Sequence, residues 1–73
     1  MVDRKDYING VRGVLDVFQE DPKTPEFWTA RLSEANKNVI YWMHKEPHLY
    51  SWHLGRYHAM QGIYALLVVH DLN

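Results

Sequence analysis

Residues 41–58, YWMHKEPHLYSWHLGRYH, hold four of the chain's five histidines and five of its ten aromatic side chains. Imidazoles at this density could ligate a metal, move protons, or stack on the bases of a nucleic acid. His44 and His48 stand four apart, the spacing that puts two ligands together on a continuous helix. Pro47 lies between them, however, and proline breaks a helix interior by removing a donor and clashing with the preceding turn. His53 and His58 are five apart, about 140° around a helix, so they face different directions. A zinc site also needs a third ligand and its supporting shell. We therefore expect no metal site and no cofactor, with the histidines at a turn and at helix ends.

Catalytic residues are not expected either. Ser33 and Ser51 lack the G-x-S-x-G context of a strained nucleophile elbow. Asp16, Glu20 and Asp21 stand where solvated surface charges usually stand. A chain of 73 residues has little room for an enclosed pocket with a positioned acid and base. The expectation is a protein that is not an enzyme.

For nucleic acid, the segment 24–71 has the outline of a helix-turn-helix, but its last helix is the most apolar one and offers Leu54, His58 and Gln61 outward. A recognition helix needs polar and basic groups there. The formal net charge is −1 and the basic residues are dispersed, so a broad electrostatic footprint is missing. Nucleic-acid binding stays a third-ranked alternative, resting on aromatics interleaved with basic residues.

Arg56 is the residue with the most chemical content. Helical spacing sets it between Trp52, Met60 and Ile63, inside an apolar arc, where an unpaired charge is costly. Its stem snorkels to the rim, or its guanidinium stacks on a tyrosine. The sharper alternative is an inter-subunit ion pair with Glu34 or Asp71, or a contact to an anionic ligand.

The elements that position these residues are three helices, near 3–19, 25–45 and 48–71. Two proline-bearing breaks separate them, Glu20 to Pro25 and Lys45-Glu46-Pro47. Asp3 and Thr24 are the expected N-caps, with Pro25 at the first helical position. The first helix places Tyr7, Val11, Val14, Leu15 and Phe18 on one face. Gly10 and Gly13 weaken it by about 1 kcal/mol each, so either a backbone comes close there or the helix frays. In the second helix, Trp28, Leu32, Ala35, Val39 and Trp42 form the core stripe. A second line, Phe27, Arg31, Glu34, Asn38, Tyr41 and Lys45, runs beside it as a contact surface.

In the third helix Leu49, Trp52, Met60, Ile63 and Leu67 make a core line, flanked by Tyr50, Tyr57 and Tyr64. On the other flank Ser51, Gly55, Ala59, Gly62 and Leu66 are small or apolar at helical spacing. They would let another helix approach closely, and we expect a homo-oligomer interface there.

The sequence thus predicts an all-α, single-domain chain (1–73): an antiparallel hairpin, 25–45 with 48–71, plus the N-terminal helix, within a helical homo-oligomer. The charged N-terminus lacks the apolar segment of a signal peptide. The longest apolar run, Ile63 to Val69, is about a third of the roughly 20 residues a bilayer span needs. A cytoplasmic location with no membrane partner is the expectation, and the absence of cysteine fits a reducing compartment.

The functional expectation is a non-enzymatic protein–protein interaction module. Its partner-binding residues would be Phe27, Arg31, Tyr41, Tyr50, His53, Arg56 and Tyr57, since exposed aromatics and arginine are the usual anchors. The alternative is an oligomeric protein that captures an anion or nucleotide with Arg56, His53 and Tyr57. In outline the chain resembles the small helical accessory proteins carried by phages and mobile elements, some of which inhibit host machinery; no motif ties it to one family.

Overall fold

An oxygen-bearing side chain opens each of the three helices. Asp3 accepts from the Asp6 amide at 3.0 Å and starts α1, Arg4–Phe18. Thr24 accepts from the Phe27 amide at 3.3 Å, and Pro25 begins α2, Pro25–Trp42. Glu46 accepts from the His48 amide at 2.8 Å, ahead of α3, Pro47–Leu72. Each oxygen satisfies a donor that the first helical turn cannot pair internally. The computed structural model describes residues 2–72, and side chains as far as His70.

The fold is all-α, as expected, with helix boundaries shifted at one end of the hairpin. α2 stops at Trp42 and not at Lys45, and α3 begins with Pro47 itself. Lys45 closes α2 from outside: its ammonium donates to the Tyr41 carbonyl at 2.9 Å and lies over the Tyr41 ring. Lys23 does the same for α1, donating to the Phe18 carbonyl and sitting over the Phe18 ring. A cation on the last carbonyls of a helix complements the dipole there. Among the described residues no helix is long and apolar enough to cross a membrane.

Helix α3 is the spine, and both α1 and α2 pack along it. At 26 residues it is about 39 Å long. That matches the molecule's longest extent of 40 Å. α2 returns antiparallel to α3, while α1 runs in the same direction as α3, with Asp3 beside Ser51 and Tyr7 beside Gly55. The core is Val14 from α1, Trp28 and Ala35 from α2, and Met60 and Ile63 from α3. Phe18, Phe27, Leu32, Tyr57, Tyr64 and Leu67 pack around it.

Two of the expected core positions are exposed instead. Leu15 is 53% and Leu49 40% accessible. α1 packs mainly on α3 and meets α2 only near its end, where Phe18 lies against Trp28, so Leu15 falls outside its buried arc; Leu49 lies in the first turn of α3, at the end of the hairpin. His58 is exposed, as expected, and at the edge of α3 it also meets α1: the Tyr7 hydroxyl and His58 Nδ1 are 2.7 Å apart.

The glycines explain how α1 docks. A Cβ on Gly10 would collide with the Trp52 carbonyl oxygen, and one on Gly55 with the Tyr7 carbonyl oxygen. Each glycine stands three residues after the carbonyl that the other helix's glycine faces. The two backbones are thus in reciprocal contact, which no residue with a side chain allows. Of the two outcomes open for α1, close approach is the one realised. Ser51, fully buried, supports the same seam: it accepts from the Asp3 amide at 2.7 Å and donates to the Pro47 carbonyl at 2.8 Å.

Candidate functional site

The small-residue stripe expected to hold a second chain is occupied within this one. Ser51 and Gly55 lie under α1, against Asp3 and Tyr7, and Ala59 packs beside the core. That corrects the assignment for the first half of the stripe: glycine spacing admits a helix but does not say whose. The second half stays open, with nothing within 4 Å of a Cβ on Gly62 and Leu66 at 72% accessibility.

A cleft of about 120 Å³ lies between α2 and α3, lined by Arg31, Glu34, Ala35, Asn38, His53, Arg56 and Met60. Three of the seven expected partner-binding residues, Arg31, His53 and Arg56, therefore converge. The placement follows from the second line of α2. Arg31, Glu34 and Asn38 sit three to four apart and look across at His53 and Arg56, one turn apart on α3.

Arg56 is half-buried, its guanidinium carbon lies over the Trp52 ring 4.8 Å from the centroid, and a Cβ on Gly13 of α1 would lie 3.6 Å from its Nη1. The ring under the guanidinium is the tryptophan one turn back and not the expected tyrosine. Glu34 lines the same cleft but forms no ion pair with Arg56, and Asp71 lies outside the described side chains. Burial, then the nearby Arg31 charge, hold the Arg56 guanidinium below its ordinary pKa. Arg31 is supported from below by Phe27, 5.1 Å away, and meets Asp21 at 3.4 Å. His53 is held parallel to Trp42, and burial, then Arg56, lower its pKa, which favours the neutral imidazole.

Tyr41 continues the row beyond Asn38. It is 55% accessible and stands edge-on to Trp42. Phe27, half-buried, begins the row and lies edge-on to Trp28. Tyr50 and Tyr57 do not join the cleft: Tyr57 packs on the core, and its hydroxyl accepts from Gln61 at 3.0 Å.

Sequence reasoning missed one cluster altogether. Asp3, Asp6 and His48 each bring a potential ligand atom within 4.8 Å of the others, the kind of set that could hold a divalent cation. Its atoms already have partners within the protein. Asp3 takes the Asp6 amide, and His48 Nδ1 lies 2.5 Å from Asp6 and 3.7 Å from Asp3. The arrangement works as an ion-paired latch joining the starts of α1 and α3. No signal in the sequence links residues 45 apart; the link appears only once α1 is known to run alongside α3.

The latch sets a pH dependence. The hydrogen bond to Asp6, and then its charge, raise the His48 pKa above 6.5, with Asp3 and Glu46 adding to the effect. A raised folded-state pKa contributes stability that is complete below the unfolded value and is lost as pH climbs through the folded one. With chelator present, urea denaturation should show wild-type stability declining relative to His48→Gln as pH rises from about 6.5. A difference between the two proteins that stays flat from pH 6 to 9 would refute the latch. Asp3 works in the opposite range: chiefly through the Asp6 amide, its pKa lies below 3.8, and its contribution is lost only as pH falls through that depressed value.

Comparison with known protein families, with characterised proteins and with solved structures gives no match.

Proposed function

We propose that the chain is a non-enzymatic interaction module that recognises a protein partner through the α2–α3 face. The observation that carries this reading is the continuity of the row. Arg31 and Asn38 on α2 adjoin His53 and Arg56 on α3, exposed Tyr41 follows Asn38 along α2, and none of the five belongs to the buried core. Tyrosine and arginine are enriched among residues that dominate binding energy, because they combine large contact area with hydrogen-bonding ends. Trp42 and Trp52 support this row from below, so its side chains are held in place before a partner arrives.

The test starts from a partner captured on the immobilised chain, identified by mass spectrometry and purified. Tyr41→Ser is expected to weaken its affinity by roughly tenfold or more, the effect of removing a central aromatic anchor. Affinity within twofold of wild type in both Tyr41→Ser and Arg31→Ala would remove the basis for this face.

A further inference from the structure

We propose that the cleft between α2 and α3, where Arg31 and Arg56 converge with Asn38 and His53, seats a single carboxylate, an Asp or Glu side chain from an acidic segment of the partner. The source of the carboxylate rests on the interaction-module reading; the anion site itself does not. Two guanidinium groups facing one partly enclosed space repel each other unless a negative charge lies between them. Arg31 has Asp21, at a long 3.4 Å, whereas Arg56 has no carboxylate in ion-pair range among the described residues.

Size decides which anion. A drug-sized or cofactor ligand needs roughly 300–1,000 Å³. The cleft offers about 120 Å³. That is about four water volumes at ~30 Å³ each, room for one oxyanion group and not for a nucleotide. Glu34 on the rim offsets part of the positive charge, so the cleft matches a singly charged carboxylate better than a doubly charged phosphate. Arginine presents a planar fork that fits a carboxylate with two parallel hydrogen bonds. Trp52 beneath the Arg56 guanidinium restrains its position, and Ala35 and Met60 give the site an apolar floor, where a charge-assisted bond is stronger than in water.

The test is an NMR titration of the ¹⁵N-labelled chain, following the Arg Nε–Hε signals. The probes are a blocked hexapeptide of glutamates, its glutamine counterpart, and inorganic phosphate. The glutamate peptide is expected to shift the Arg56 and Arg31 signals saturably, the glutamine peptide to shift neither, and phosphate to bind more weakly. In Arg56→Gln the peptide affinity should fall about tenfold, the loss of one charge-assisted contact. Circular dichroism checks that this variant stays folded, and Arg31→Gln gives a second substitution at the same site.

Absence of a saturable shift, or a peptide affinity unchanged in Arg56→Gln, would overturn the site. Phosphate binding more tightly than the glutamate peptide would overturn the carboxylate assignment. The two readings fail separately. If Tyr41→Ser and Arg31→Ala both leave partner affinity intact while the peptide still shifts Arg56, the partner-binding face is wrong and the carboxylate site stands.

Discussion

Gly10→Ala and Gly55→Ala should each strip α1 from the rest of the fold, although alanine favours a helix by about 1 kcal/mol over glycine. The added methyl meets a backbone carbonyl at both positions, Trp52 in one case and Tyr7 in the other. A flexible side chain could rotate away, but a helix backbone can only move as a unit. Overpacking of this kind costs typically 1–3 kcal/mol, occasionally more. Here the upper end applies, because α1 has α3 as its principal support. A domain of this length has roughly 4–11 kcal/mol of stability in all, at 0.05–0.15 kcal/mol per residue.

Gly62→Ala provides the control. Nothing lies within 4 Å of that Cβ, so the substitution should gain close to the full ~1 kcal/mol of helix propensity. Thermal melts followed by circular dichroism would show the first two variants melting earlier and the third later. Equal effects at Gly55 and Gly62 would mean that α1 does not cross α3 where the structure puts it.

Trp28→Ala should have the largest effect of any side-chain truncation. Trp28 is fully buried at the centre of the core, and its indole nitrogen donates to the Pro22 carbonyl at 2.8 Å. Truncating a buried tryptophan costs about 3–5 kcal/mol, and the lost hydrogen bond adds to it. At 4–8 °C per kcal/mol for a domain of this size, the melting temperature should fall by roughly 15 °C or more. Trp28→Phe separates the two contributions: it keeps most of the apolar volume and leaves the Pro22 carbonyl without its donor, at a cost nearer 1 kcal/mol from the bond alone. A Trp28→Ala protein that melts within a few degrees of wild type would contradict the core assignment.

Local signals made the helices legible. Asp3, Thr24, Pro25 and Pro47 act through the backbone of their own neighbourhood, so their roles could be read without knowing the fold. Core stripes were readable in the middle of α2 and α3, where Trp28, Ala35, Met60 and Ile63 are covered. They failed at Leu15 and Leu49, where periodicity is correct but no neighbour arrives.

The site was legible in part for the same reason. Arg31 and Arg56 were each conspicuous alone, yet their meeting depends on the register of α2 against α3, which no periodicity states. Periodicity also located the small residues Ser51 and Gly55 but not the identity of the helix that covers them. The Asp3, Asp6 and His48 latch is wholly a product of tertiary placement.

The functional claim is that recognition uses the α2–α3 face and not the α1–α3 seam. Amide hydrogen exchange of the chain, with and without its captured partner, tests that most directly. Slowed exchange is expected in segments 31–43 and 49–56, with α1 unchanged. Protection confined to 4–18, or to the open end of the stripe at 62–70, would contradict it.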